Sequence, residues 1–284
     1  MDIQKIAVIG AGTMGAGIAQ TACQAGYQVA LCDVSAEQLE RGLSNVRAML
    51  AKGVERGKLT EADREAALSR LSAVSGVEEA VRDVDLAIEA IPEQMPLKQE
   101  MFGRLDRFAP ERALLASNTS SLDIDEIARA TGRSEKVLGM HFFNPVPVMK
   151  LLELVRGEKT SEETLAAARA VGERMGKTAI TVRNAPGFAT SRLGIVLGME
   201  AIRMVEQGVA SAEDIDTAMT LGYAHPMGPL RLTDLVGLDV RLSIAESLHE
   251  RLGSEAFRPP ELLRRMVAEG KLGKKSGRGF YEWS

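Results

Sequence analysis

Short apolar runs alternate with amphipathic stretches along the first two thirds of the chain. The apolar runs have the length of strands and the stretches between them repeat apolar residues at helical intervals. We predict strands at 5–9, 28–32, 85–91, 113–117, 137–143, 148–155 and 177–182. We predict helices at 16–25, from 35 toward 57, from 60 onward, and at 96–108, 121–130 and 161–175. This alternation predicts a mostly parallel sheet with helices on both faces, an α/β fold.

The pattern changes after a stretch of turn-forming residues, Asn184-Ala185-Pro186-Gly187. Beyond it, apolar residues recur only at helical spacing, at 188–206, 212–221, 230–252 and 261–269. We therefore predict an α/β domain at 1–184 and an all-helical domain at 185–284. A helical domain of this size can close a cleft or bury its apolar faces against a second copy, and we expect both, with the chain forming a homodimer.

A glycine-rich turn follows the first predicted strand, with the sequence Gly10-Ala11-Gly12-Thr13-Met14-Gly15. The first glycine allows the turn, the second lets the backbone approach a pyrophosphate, and the third lets the next helix lie close to the strand. The second strand ends at Asp33, where an acid can accept hydrogen bonds from the adenosine ribose hydroxyls. These features predict a Rossmann-like dinucleotide site, and an acid with no arginine in Val34-Ser35 favours NAD over NADP.

Composition narrows the class of protein. The chain has 284 residues, of which 45% are hydrophobic, enough for one large or two ordinary domains. A net charge of −4 argues against a nucleic-acid partner. No apolar run is long enough to span a membrane, and the chain enters its first strand without a signal peptide, so we expect a cytoplasmic protein. Two cysteines (Cys23, Cys32) and three dispersed histidines (His141, His225, His249) give no metal-binding pattern, and we expect no metal.

Two extended runs, 137–143 and 148–155, are separated by Asn144-Pro145-Val146-Pro147. The prolines force a turn, which can bring His141 beside Glu153. Glu153 lies among aliphatic residues, and a buried carboxylate needs a partner to remain charged. A carboxylate that fixes the histidine tautomer leaves the other ring nitrogen free to take a proton from a substrate hydroxyl. The alternative is that His141 only ends a strand and that Glu153 meets an arginine.

Several motifs in order carry a resemblance to a known family. They are 8–17, Glu89-Ala90-Ile91-Pro92-Glu93 with Lys98, 117–122, 139–153, Pro186-Gly187-Phe188, Pro226-Met227-Gly228-Pro229 with Asp234 and Gly237-Leu238-Asp239, and 273–277 with Gly279-Phe280-Tyr281. In these motifs the chain resembles the L-3-hydroxyacyl-CoA dehydrogenase family over essentially its whole length. Its length is similar to that of the stand-alone bacterial 3-hydroxybutyryl-CoA dehydrogenases.

The resemblance implies a reaction and a set of site residues. The reaction is NAD-dependent interconversion of L-3-hydroxyacyl-CoA and 3-ketoacyl-CoA, with 3-hydroxybutyryl-CoA and acetoacetyl-CoA as the expected pair. His141 would be the acid/base, Glu153 its orienting partner, Ser120 a hydrogen-bonding group for the reacting oxygen, and Asn144 a contact near nicotinamide and substrate. The implied cofactor residues are Gly10, Ala11, Gly12, Thr13, Met14, Gly15, Asp33, Glu93, Lys98, Ser120, Asn144 and Lys275.

One position departs from the family pattern. The family usually has Asn-Arg shortly after Pro-Gly-Phe, whereas this chain has Ser191-Arg192, so the substrate contact carried to Ser191 would be weaker or bridged by water. A basic group near the end of the second helix, including Lys52 and Arg56, is a candidate site for the CoA phosphates, although a solvated helix face would look the same. Two other functions stay open: a dehydrogenase of a free hydroxy acid or sugar acid, and a non-catalytic nucleotide-binding scaffold.

Overall fold

The computed structural model describes residues 1–283. The chain divides into two compact units, Met1–Asn184 and Ala185–Ser284. The first unit is built on an eight-stranded sheet and the second consists of helices. The predicted fold class, a mostly parallel sheet with helices followed by a helical C-terminal domain, is confirmed.

The sheet of the first unit has the strand order β3-β2-β1-β4-β5-β6-β7-β8. The strands are β1 (Lys5–Ile9), β2 (Gln28–Cys32), β3 (Leu71–Val74), β4 (Leu86–Glu89), β5 (Leu114–Ser117), β6 (Val137–Phe142), β7 (Leu151–Arg156) and β8 (Thr178–Arg183). All neighbours are parallel except β6 and β7, which are antiparallel. The central strands are apolar and buried, so the polar side chains at their carboxyl ends define the functional edge of the sheet.

Seven α-helices cover the sheet. They are α1 (Thr13–Gln24), α2 (Ala36–Glu55), α3 (Glu61–Ser69), α4 (Val77–Val81), α5 (Met95–Phe108), α6 (Ile124–Ala128) and α7 (Glu162–Arg174). Polar side chains begin several of them, because they satisfy N–H groups that have no partner within the helix. Ser35 accepts a hydrogen bond from the N–H of Gln38, and Thr60 forms a reciprocal capping box with Asp63.

Neither β3 nor α4 of the first unit was predicted, and a short 3-10 helix at Ser134–Lys136 was also missed. β3 is an edge strand with exposed Ser72 and Ala73, so its sequence lacks the apolar signal of an inner strand. α4 has only five residues, too few for a helical period to stand out. The helix predicted at 121–130 is shorter than expected, because Asp123 caps it by accepting from the N–H groups of Asp125 and Glu126.

The second unit has its own apolar core. Its helices are α8 (Thr190–Glu206), α9 (Ala212–Thr217), which continues into a short π-helix at Ala218–Gly222, α10 (Pro229–Val236), α11 (Leu238–Leu252) and α12 (Glu261–Ala268). The single helix predicted at 230–252 is wrong. Gly237, with φ of 105°, ends α10 and starts α11, and residues with a side chain rarely adopt that conformation.

Candidate active site

His141 and Glu153 lie directly opposite each other in the antiparallel pair of β6 and β7. Oε2 of Glu153 is 2.7 Å from Nδ1 of His141. Glu153 is fully buried and His141 is 7% exposed. An ionised carboxylate at this distance accepts the proton on Nδ1, which fixes the tautomer and leaves Nε2 as the nitrogen that can exchange a proton with a ligand. The turn predicted between the two runs brings these side chains together.

The residues around His141 fix its position. The ring of Phe143 packs against the imidazole, with 4.4 Å between ring centroids. The side-chain oxygen of Asn118 accepts the N–H of Phe142 at 2.9 Å, and the N–H of Asn118 donates to the carbonyl of Glu89 at 2.8 Å. Asn118 therefore ties the end of β6 to the end of β4.

Glu93 organises the loop that carries Ser120. Its Oε1 accepts from the hydroxyl of Thr119 at 2.5 Å, the N–H of Ser120 at 2.9 Å and the N–H of Ser121 at 3.2 Å. Burial raises the pKa of Glu93, but the positive charge of Lys98 and these hydrogen bonds outweigh it and hold the pKa below its ordinary value. Glu93 is thus an anion that sets the position of the Ser120 loop.

Lys98 lies beneath this loop with a side chain that is only 1% exposed. Its Nζ is 2.6 Å from Oε1 of Glu89 and 3.3 Å from Oε2 of Glu93. The other oxygen of Glu89 accepts from the hydroxyl of Ser117 at 2.6 Å. The family resemblance implies a cofactor role for Lys98. In the structure its ammonium group lies between the carboxylates of Glu89 and Glu93, and its role toward a cofactor stays a prediction. Sequence reasoning missed Glu89 and Ser117 as site residues, although each is a polar residue that ends an apolar strand.

The glycine-rich turn lines a cavity of about 660 Å³. A Cβ on Gly10 would lie 2.6 Å from the carbonyl oxygen of Ala90, and a Cβ on Gly15 would overlap the carbonyl of Gly10. Asp33 lines the same cavity and accepts from the N–H groups of Ala11 and Ser35 at 2.8 and 3.0 Å. The predicted cofactor residues that line it are Gly10, Gly12, Thr13, Met14 and Asp33. A close backbone turn, a helix N-terminus and an acid at the end of β2 fit the pyrophosphate and ribose of NAD.

A second cavity of about 270 Å³ lies between α1, α2 and the turn after β6. Thr13, Lys52 and Asn144 line it together. Thus the structure brings a predicted CoA residue to the same cavity as a predicted catalytic residue. Arg56 follows the end of α2 and is exposed, and it does not line this cavity.

Lys177 holds the turn that carries Asn144. Its Nζ donates to the carbonyl of Val146 and, at 2.8 Å, to that of Met149. Burial lowers the pKa of Lys177, and the nearby charge of Lys150 lowers it further. Sequence reasoning missed Lys177, although this lysine is the first residue of the strand predicted at 177–182.

Two predicted site residues lie in the second unit. Ser191 is partly buried in the first turn of α8. Lys275 is exposed and forms an ion pair with Asp239, with Nζ 2.6 Å from Oδ2. Their roles toward substrate and cofactor stay predictions.

Within residues 1–283, no cluster of three or more histidine, cysteine, aspartate or glutamate side chains is arranged to hold a metal ion. Across the same residues, no helix combines the length and apolar character that a membrane span requires.

The chain is similar to known proteins over its full length. The model of the NAD binding domain of 3-hydroxyacyl-CoA dehydrogenase matches residues 5–185, and the model of the C-terminal domain of the same family matches residues 187–283. A probable 3-hydroxybutyryl-CoA dehydrogenase of Bacillus subtilis is 52% identical over 283 residues, covering 100% of this chain and 98% of that protein. The crystal structure of (S)-3-hydroxybutyryl-CoA dehydrogenase from Ralstonia eutropha is 42% identical with a TM-score of 0.96, and all of both chains is covered. From these matches, together with the glycine-rich turn and the His141–Glu153 pair, the chain belongs to the 3-hydroxyacyl-CoA dehydrogenase family.

Proposed function

We propose that this protein is an NAD-dependent L-3-hydroxyacyl-CoA dehydrogenase that interconverts 3-hydroxybutyryl-CoA and acetoacetyl-CoA, with His141 as acid/base and Glu153 as its orienting partner. The observation that carries the proposal is the buried pair of these two side chains at the end of β6, 2.7 Å apart. A non-catalytic scaffold has no need to bury a carboxylate against an imidazole in this way.

The proposed mechanism begins with the tautomer of His141. Glu153 accepts the proton on Nδ1, so Nε2 is free to take the proton of the C3 hydroxyl as a general base. The glycine-rich turn and Asp33 would hold NAD, which when bound would supply the hydride acceptor for C3. The imidazolium formed in this step is stabilised by the negative charge of Glu153, and in the reverse direction it returns the proton to the C3 oxygen.

Ser120 and Asn144 complete the proposed site. The hydroxyl of Ser120 is a donor for the reacting oxygen, and the Glu93 carboxylate positions it through the N–H groups of the loop. Asn144, at the cavity shared with Lys52, presents an amide toward substrate and nicotinamide. Both groups reach the ligand from loops held by charged side chains, the partly exposed Glu93 with the buried Lys98 for one loop and the buried Lys177 for the other.

The proposal includes a CoA site and a homodimer. Lys52 and Arg56 supply positive charge for the CoA phosphates, and an Arg56→Ala variant with an unchanged KM for acyl-CoA would remove Arg56 from this role. The helices of the second unit carry exposed apolar side chains suited to burial against a second copy. They include Leu193, Leu221, Leu232, Leu235, Val236 and Val240. A monomer in light scattering at micromolar concentration would contradict the dimer.

The test is a steady-state assay of acetoacetyl-CoA and longer 3-ketoacyl-CoA substrates with NADH and NADPH in parallel. We expect NADH oxidation with acetoacetyl-CoA and little with free keto acids or sugar acids. A His141→Gln variant should lose about two to four orders of magnitude in kcat while remaining folded. Turnover of free acids alone, or full activity of His141→Gln, would overturn the proposal.

A further inference from the structure

Arg104 brings a positive charge to the cavity beside the glycine-rich turn. It lines this cavity together with Asp33, the acid that follows β2. Leu97 and Met101 line it as well, and with Arg104 they share one face of α5, since positions i, i+4 and i+7 of a helix point the same way. The cavity proposed to hold the adenosine of NAD thus combines an acid from the end of β2 with an arginine from α5.

The guanidinium of Arg104 is held by Glu78. Its Nη2 donates to Oε1 of Glu78 at 2.7 Å, which links α5 to α4. Within residues 1–283 the guanidinium donates to no other side chain or carbonyl. The hydrogen bond from Arg104 holds the pKa of Glu78 below its ordinary value, so Glu78 is an anion at neutral pH. The negative charge of Glu78 therefore offsets the positive charge that Arg104 brings to the cavity.

The Arg104–Glu78 pair lies near the end of β2. The pKa of the Cys32 thiol is raised to about 11, first by burial and then by the negative charge of Asp33. The charge of Arg104 opposes this rise, and the charge of Glu78 adds to it. Because a charge acts more strongly on a group at short distance, both members of the pair lie near Cys32. Cys32 directly precedes Asp33, so the pair is close to the carboxylate that is expected to bind the ribose.

A phosphate on the adenosine ribose, as in NADP, requires a positive charge near this carboxylate, and a nearby arginine is the usual group. The sequence has no arginine in Val34-Ser35, but the fold brings Arg104 to the cavity from α5. The bond to Glu78 engages donors of this guanidinium that a phosphate would need. Asp33 and the exposed Glu100 add negative charge to the cavity lining. The cavity therefore favours a ribose with free hydroxyls.

We propose that Glu78 is a second determinant of the preference for NAD over NADP, because it holds Arg104 away from the ribose phosphate of NADP. The inference rests on the NAD dependence of the proposed function. Asp33 disfavours the phosphate directly by its charge. Glu78 acts through Arg104 and is a positioning residue. Without Glu78, the guanidinium is free to form paired hydrogen bonds with the phosphate.

The test measures the Kd of NADH and of NADPH by isothermal titration calorimetry on the full chain, without acyl-CoA. Asp33→Asn is the starting variant, because it removes the direct repulsion of the phosphate. Adding Glu78→Ala should lower the Kd for NADPH about tenfold, the usual effect of one charged hydrogen bond, and change the Kd for NADH less than about threefold. Adding Arg104→Met to this double variant should remove the gain, since the effect of Glu78 passes through Arg104.

Glu79→Ala in the same Asp33→Asn background is the control. Glu79 is the next residue of α4, carries the same charge and does not line the cavity, so its loss should leave the Kd for NADPH within about twofold. The Arg104–Glu78 pair is partly exposed and contributes little to stability, so the variants should fold, and NADH binding reports that they do.

Three results would overturn the inference: a Kd for NADPH that Glu78→Ala leaves unchanged, an equal gain with Glu79→Ala, or a gain that persists after Arg104→Met. Loss of NADH binding in Glu78→Ala would also overturn it, because the pair would then hold the NAD site itself. If the variants bind the two cofactors as expected but the enzyme does not reduce acetoacetyl-CoA, the inference is supported and the proposed function fails.

Discussion

Glu153 stands directly across from His141 in the antiparallel pair of β6 and β7, and its Oε2 lies 2.7 Å from Nδ1 of the imidazole. Side chains opposite each other in such a pair project on the same face of the sheet, so the strand register alone brings the two groups together. A shift of one residue would move one of them to the opposite face. The geometry of the dyad thus depends on two inner strands rather than on flexible loops.

Replacing Glu153 by Gln should keep the hydrogen bond and remove the negative charge. The imidazolium that forms during oxidation then loses its counter-ion, and the amide can also present its NH2 group to Nδ1 and favour the wrong tautomer. We expect kcat to fall about 10- to 1000-fold with a smaller change in KM. Steady-state kinetics with acetoacetyl-CoA and NADH measure this. Glu162→Gln, which alters an exposed ion pair with Arg156, is the control, and equal losses in both variants would contradict the role of Glu153.

We predict that the carboxylate of Asp33 sets the preference for NADH over NADPH. Its carboxylate accepts from the N–H groups of Ala11 and Ser35, and it repels a phosphate on the adenosine ribose. Asp33→Asn keeps the shape and one acceptor oxygen and removes the charge. We expect the ratio of kcat/KM for NADH over NADPH to fall about tenfold or more, mainly through a higher KM for NADH. Parallel titrations of the two cofactors check this. An unchanged ratio of kcat/KM for NADH over NADPH would show that Asp33 does not distinguish the ribose hydroxyl from the ribose phosphate.

The sequence predicted those parts of the site that depend on one short segment. The turn at Gly10 to Gly15, the acid at Asp33 and the His141–Glu153 pair each follow from a local pattern of apolar, glycine and proline residues. The order of the elements predicted the sheet, because alternating strands and helices form parallel sheets. The inner strands were therefore recognised, β1 and β2 with their ends exact and the others with ends misplaced by at most three residues.

The features that the sequence did not reveal depend on long-range contacts. Glu89 meets Lys98 and Ser117 only after three different elements have assembled. Lys177 reaches carbonyls that lie about thirty residues earlier, at 31 and 28 positions of separation. Arg104 appears in the sequence as an ordinary helix residue, and only the packing of α4 and α5 places it beside Glu78. The break at Gly237 was missed because a glycine within a helical pattern is often tolerated.

Because of Glu93, the free energy of unfolding should depend on pH in the acid range. The pKa of Glu93 in the folded protein lies below the ordinary value of 4.5, so the ionised group stabilises the fold in full above pH 4.5. This contribution is lost as the pH falls from 4.5 toward the folded pKa. We expect Glu93→Gln to lower the free energy of unfolding by about 1 kcal/mol near neutral pH, a modest value because the side chain is 38% exposed.

Urea unfolding of wild type and Glu93→Gln at several pH values measures this difference. It should be constant from about pH 5 to 8 and shrink below pH 4.5. Glu173→Gln, at an exposed position of α7, is the control for the loss of one carboxylate. A difference that grows on acidification would contradict the assignment. Because Glu93 also holds the Ser120 loop, the variant should lower kcat at neutral pH.

Lys177 should contribute both to the stability of the protein and to the position of Asn144. Lys177→Met keeps most of the length of the side chain, lacks the terminal Nζ and leaves the carbonyls of Val146 and Met149 without their donor. Losing a donor to buried acceptors destabilises a protein by roughly 1–3 kcal/mol. The same turn carries Asn144, so we expect kcat with acetoacetyl-CoA to fall at least several-fold as the amide loses its fixed position. Urea unfolding and steady-state kinetics measure the two effects.

Two further variants separate positioning from a general loss of charge. Lys177→Arg retains donors in the same region and should recover part of both the stability and kcat, since a guanidinium can still reach a carbonyl. Lys150→Met removes an exposed positive charge nearby and should change neither, because the Lys150 side chain does not hold the turn. If Lys177→Met lost stability with kcat unchanged, the turn would be held for folding alone, and Asn144 would not depend on it. A fall in kcat that Lys177→Arg reverses would instead place Lys177 behind Asn144 as a residue that positions the catalytic turn.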